Sequence, residues 1–95
     1  MVRGEVFRLP GHGHFAVVVQ AYELLDLSTT LVAPTSTAAR AASFRPVIEL
    51  AGEETRVLVE QTTVVDPGRL GRSAGRLDAS EMRAVDEALA LMLGL

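Results

Sequence analysis

His12 and His14 stand two residues apart in the glycine-rich stretch Pro10-Gly11-His12-Gly13-His14, directly ahead of the apolar run from Phe15 to Val19. Imidazole changes charge near neutral pH, so either ring could take or give a proton in catalysis. The plainer reading is a pair of solvated loop residues. A metal reading of His12-x-His14 lacks a nearby third ligand, and two histidines alone make a weak site. All nine basic residues are arginine, with lysine absent, and a guanidinium can hold a phosphate through two parallel hydrogen bonds. Arg40 and Arg45 flank a stretch rich in serine, threonine and alanine, 36–43, while Arg69, Arg72 and Arg76 cluster further on. For each, a solvated surface charge is the commoner fate.

These residues need a scaffold, and the residue pattern supplies one rich in strands. Glu5 to Leu9 alternates charged and apolar side chains, and Phe15 to Val19 is continuously apolar. Together they predict a hairpin whose second strand, opened by His14, is buried on both faces. Residues 21–26 are too short for more than one helical turn and form a connector. Thr29 to Thr35 is rich in β-branched residues and predicts a third strand, leading into the loop of Ser36 to Ser43. Val47 to Leu50 and Arg56 to Val59 read as strands joined by the four residues Ala51-Gly52-Glu53-Glu54. Thr62 to Val65 reads as a further strand ended by the turn Asp66-Pro67-Gly68. From Asp78 the period changes: Met82, Val85, Leu89 and Met92 recur three or four apart, which predicts an amphipathic C-terminal helix with its apolar stripe in the core. Asp78 and Glu81 form an acidic variant of the capping box, and Gly94 stops the helix.

Ninety-five residues without cysteine predict one small domain, 1–95, that gains neither disulfides nor thiolate metal sites and is expected to pair with itself. A net charge of −3 excludes coating nucleic acid by bulk electrostatics, so any RNA contact must be local. Met1 leads directly into Val2-Arg3-Gly4-Glu5 without a basic leader, and no apolar segment approaches the roughly 18 residues of a membrane span. A soluble, cytoplasmic protein with no membrane partner is the expectation.

Several segments, taken in order, resemble the MazF/PemK toxins of type II toxin–antitoxin pairs. Val2-Arg3-Gly4-Glu5-Val6 is similar to their Arg-Gly-Glu-Val strand, Val32-Ala33-Pro34-Thr35-Ser36 to their Val-Val-Pro-x-Thr-Ser segment, and Val59-Glu60-Gln61-Thr62 to their Val-Asp-Gln-x strand. Arg69-Leu70-Gly71 through Gly75-Arg76-Leu77, then Glu81-Met82 and Val85 to Leu89, resemble their closing strand and helix. The resemblance implies a mainly β (α+β) fold, an SH3-like twisted β-barrel with a C-terminal amphipathic helix. It also implies a homodimer, a cognate antitoxin, and an endoribonuclease (mRNA interferase) that cuts single-stranded RNA without metal or cofactor. The family's catalytic threonine corresponds to Thr35, with Ser36 beside it. Its catalytic arginine falls where this chain has His14. Metal-free cleavage needs a base, a group holding the scissile phosphate and an acid. His14 and Thr35 are therefore the candidate catalytic residues, with Ser36, His12, Arg40 and Gln61 as candidate substrate-binding residues. Two alternatives share the architecture: a CcdB-like gyrase poison, suggested by Pro46 to Glu49 and Leu91 to Leu95, and a family member that binds without cutting. The gyrase poisons use a tryptophan near the C-terminus, and this chain has none.

Overall fold

The computed structural model describes residues 1–10 and 14–95. Among them the strand-forming segments become β1 (Glu5–Leu9), β2 (His14–Val18), β3 (Thr30–Ser36), β4 (Val47–Leu50), β5 (Glu53–Val57), β6 (Thr63–Val65) and β7 (Ser73–Arg76), followed by helix α1 (Ala79–Leu93). All pairings are antiparallel, in the order β4-β5-β3-β2-β1-β7 with β6 also on β3. The sheet curls into a half-barrel closed by α1. This is the mainly β architecture that the sequence implied.

Strand β2 is buried on both faces, as its unbroken apolar run requires. Val17 joins the main core with Val6, Ala33, Ile48, Val57 and the helix residues Val85 and Ala88. Ala16 and Val18 point the other way, against Val32 and a lid of Phe7, Leu9, Leu25 and Val65. Each fully buried valine contributes on the order of 1.5–3 kcal/mol.

Strand β3 changes partner along one edge. Thr30 to Val32 pair with β6, whereas Thr35 and Ser36 pair with β5. Pro34 sits at the change, where a residue without an N–H leaves no ladder bond unmade. Its carbonyl accepts from the Leu58 N–H at 2.8 Å. The end of β3 is thereby drawn away from β6 and held between β2 and β5.

Helix α1 begins as its cap residues dictate. The Asp78 carboxylate accepts from the Glu81 N–H at 2.7 Å, and Glu81 returns a bond to the Asp78 N–H at 3.0 Å. The second Glu81 oxygen accepts from the Glu49 N–H at 2.8 Å, tying the helix start to β4. Gly94 ends the helix at φ +73°.

Three expectations need correction. Strand β5 starts at Glu53, not Arg56, because Ala51 and Gly52, at φ +53° and +80°, make a two-residue turn that brings Leu50 opposite Glu53. Val59 falls in a single 3-10 turn, Val59–Gln61, where the backbone passes from β5 to β6. Met92 is 40% exposed, so the buried stripe of α1 runs through Met82, Val85, Ala88 and Leu89. No helix among the described residues is long and apolar enough to cross a membrane.

Candidate active site

Thr35 fixes the geometry of the barrel's open end. It faces inward, 4% exposed, and its hydroxyl donates to the Phe15 carbonyl at 3.0 Å. The β2–β3 register pairs Ala16 with Pro34, and continuing it sets Phe15 opposite Thr35 and His14 opposite Ser36. On the other edge Thr35 pairs with Val57 and Ser36 with Arg56. Three strands thus end or begin side by side, and a pocket of about 200 Å³ opens between them.

Phe15 from β2 makes one wall of the pocket and Thr35 its floor, while His14, paired with Leu9 on the other face of the sheet, and Ser36 and Thr37 border it at the rim. The facing wall comes from the β4–β5 hairpin, with Leu50 and Thr55 below and Ala51 and Glu53 at the lip. His14 and Glu53 are the titratable groups lining it among the described residues, and both are exposed. The Ser36 hydroxyl accepts from the Ala38 N–H at 3.1 Å, leaving its own proton free to be donated. The proton of Thr35 is already committed to Phe15, so a phosphate would engage it only by displacing that bond. The Arg8 guanidinium lies over the Phe15 ring, 5.1 Å from its centre, and adds a cation beside that wall.

The other candidates lie elsewhere. Gln61 is exposed in the 3-10 turn after β5, and Arg40 is exposed in the loop beyond Ser36; neither lines the pocket. Arg45 is engaged internally. It pairs with Glu60 at 2.6 Å, donates to the Arg40 carbonyl at 3.2 Å and stacks on Phe44. Burial pushes the Glu60 carboxyl up, but the hydrogen bond and charge of Arg45 outweigh it and hold the group below the ordinary carboxylate range. Arg69, Arg72 and Arg76 are exposed around β7. His12 lies outside the described residues. Among the described residues no three histidine or acidic side chains gather as a metal site.

The family model for PemK-like, MazF-like toxins of type II toxin–antitoxin systems matches residues 6–93, from β1 into the last turn of α1. The chain belongs to this toxin family. The toxin is 35% identical over 105 residues to a Mycobacterium tuberculosis protein named as a candidate toxin, covering 100% of this chain and 99% of that one. Its fold matches a mycobacterial endoribonuclease solved with its cognate antitoxin, at a TM-score of 0.89 and 20% identity over 100% of this chain and 96% of that chain. The M. tuberculosis toxin MazF-mt6 matches at 0.84 and 21% identity over 98% of each chain. A MazE–MazF structure from Deinococcus radiodurans matches at 0.82 and 18% identity over 100% of this chain and 97% of that chain.

Two groups at the site of this MazF/PemK toxin escape sequence reasoning. The residue pattern puts Glu53 in the hairpin connection, although alternation back from buried Val57 through Thr55 puts it on the inward face of β5. Arg8 gives no local signal, since its stacking on Phe15 depends on the β1–β2 register, which pairs the two residues.

Proposed function

We propose that this toxin is a sequence-specific endoribonuclease that cuts single-stranded RNA without a metal ion, with His14 exchanging a proton at the reacting oxygens and Thr35 and Ser36 positioning the scissile phosphate. The observation that carries the reading is the pocket at the barrel's open end, which His14, Thr35 and Ser36 line together. The 2′-hydroxyl attacks phosphorus and the 5′-oxygen leaves, giving a 2′,3′-cyclic phosphate and a 5′-hydroxyl. At about 200 Å³ the pocket is smaller than the roughly 300–1,000 Å³ of drug-sized sites. It suits one phosphate and its ribose, with flanking nucleotides lying outside, where Arg40, Gln61 and His12 are proposed to meet them.

The toxin acts as a cytoplasmic homodimer in this reading. Tyr22, Leu24 and Leu27 of the β2–β3 connector and Leu91, Leu93 and Leu95 at the helix end are each at least half exposed, and a second copy would cover apolar surface of this kind. An acidic, extended antitoxin segment is proposed to occupy the RNA groove, consistent with the antitoxin complexes among the structural relatives. Incubating the purified toxin with mixed RNA in EDTA and mapping the ends tests the reading. Cleavage at a recurrent short sequence, leaving cyclic phosphates, is expected. Intact RNA, or cleavage that EDTA abolishes, overturns it.

A further inference from the structure

We infer that Arg8 is a further catalytic residue, the cation that grips the scissile phosphate and offsets the charge it gains during cleavage. The inference rests on the RNA-cleaving reading above and names the group that meets the phosphate's charge. Arg8 pairs with Phe15, and it falls two residues after the core residue Val6, on the core side of β1. Phe15 packs against the same core, and Thr35 shares that face with Ala33 and with its partner Val57. Arg8, Phe15 and Thr35 thus form a row across three neighbouring strands on one face of the sheet. The Arg8 guanidinium lies over the Phe15 ring, 5.1 Å from its centre, so its charge sits at the Phe15 wall of the pocket, with Thr35 on the next strand.

A phosphate in this pocket needs such a cation. Among the described residues the lining holds no arginine, and Glu53 presents a carboxylate at the lip, which repels an anion. Arg8 is exposed, and its side chain has no ion pair or hydrogen bond among the described residues, whereas Arg3 and Arg45 are paired with Asp86 and Glu60. A guanidinium resting on an aromatic face keeps its N–H donors at its edge, where two of them can meet two phosphate oxygens. The backbone fixes its base: the Arg8 N–H donates to the Arg72 carbonyl at 2.9 Å, and its carbonyl accepts from the Gly71 N–H at 2.8 Å. Glycine is required for that approach, since a Cβ at Gly71 would lie 2.9 Å from the Arg8 carbonyl oxygen. As the 2′-oxygen bonds to phosphorus and the P–O5′ bond breaks, negative charge builds on the non-bridging oxygens, and the guanidinium stabilises it. Arg8 neither takes nor gives a proton; the 2′-hydroxyl proton and the one reaching the 5′-oxygen pass through other groups.

Arg8→Met and Arg8→Lys separate charge from packing. Methionine covers the Phe15 ring without charge, and lysine keeps the charge without the planar fork. The test measures single-turnover cleavage of one RNA at saturating toxin, with and without dilute free guanidinium, and binding of the same RNA with 2′-deoxyribose at the cut site. Arg8→Met is expected to lose on the order of a hundredfold in the saturated rate, to bind the uncleavable RNA only several-fold more weakly, and to recover part of its rate with free guanidinium. Arg8→Lys falls between Arg8→Met and wild type, and circular dichroism checks that both variants fold. A wild-type rate from Arg8→Met makes Arg8 only a cover for Phe15, and a loss confined to binding makes it only a docking charge; either overturns the assignment while leaving RNA cleavage in place. Failure of the wild type to cut the RNA overturns both readings together.

Discussion

Two hairpins meet at the pocket, and each delivers its titratable residue differently. The β4–β5 hairpin turns in two residues, with Ala51 and Gly52 both at positive φ, so Glu53 is fixed by a tight turn whose backbone allows little choice. The β1–β2 hairpin reaches His14 through a longer connection. There the neighbouring strand holds it, because the Thr35 hydroxyl of β3 donates to the Phe15 carbonyl next to His14. Each hairpin is also braced from outside by a carboxylate. Glu5 on β1 accepts from the Ser73 hydroxyl of β7 at 2.7 Å, and Glu60 beyond β5 is paired with Arg45. Similar side chains can therefore be aimed by a turn on one wall and by a cross-strand hydrogen bond on the other.

The largest effect expected from breaking this arrangement is at His14. His14→Ala should lower the single-turnover rate of RNA cleavage by about a hundredfold or more while the protein stays folded, and His14→Arg should recover part of it by holding the phosphate. Wild-type activity in His14→Ala would make the histidine a loop residue only.

Next comes the outer brace of the second hairpin. Arg45→Ala strips Glu60 of its partner and releases the Arg40 carbonyl, so denaturant titration should show a loss of about 1–3 kcal/mol. Unchanged stability would mean that the 2.6 Å ion pair contributes nothing net.

The turn itself is probed by Gly52→Ala. An added Cβ meets no atom within 4 Å, so the cost is that of placing a side chain at φ +80°, about 1 kcal/mol. A several-fold drop in cleavage should accompany it as the lip of the pocket shifts. Unchanged stability and cleavage would mean that the tight turn does not hold this side of the pocket in place.

The smallest effect is on acid stability. The hydrogen bond from Ser73 lowers Glu5, and Arg45 lowers Glu60, relative to the ordinary value of 4.5. A carboxylate with a depressed folded pKa contributes stability that is present above its unfolded value and lost as pH falls through the folded one. Urea midpoints should thus drop as pH falls below about 4.5, and Ser73→Ala and Arg45→Ala should each flatten that drop. A drop of the same size in both variants would contradict the assignment.

Much of this was legible in local pattern. The apolar run of β2, the capping box of Asp78 and Glu81 and the stop at Gly94 are short-range features, and the structure carries each where the residues place it. What escaped depends on distant partners. Glu53 and Glu54 beside a glycine resemble turn residues, and Ala51 hides a turn that usually announces itself with Asn-Gly. Arg45 pairs with a glutamate 15 residues away, which no local pattern reveals. The pocket exists because β3 changes partner at Pro34, a tertiary event. His14, Thr35 and Ser36 were legible as candidates through family resemblance, whereas Glu53 reaches the pocket only through the β4–β5 register that pairs it with Leu50.

The central claim is that an imidazole now performs proton transfer at the position where the family carries an arginine, which stays charged throughout the physiological range. The most direct test is the single-turnover rate of RNA cleavage by the wild-type toxin in EDTA between about pH 5 and 8. The account predicts a rate that changes markedly across this interval and a His14→Arg variant that lacks that change. A wild-type rate that is flat across the interval, or a profile that His14→Arg reproduces, would contradict it.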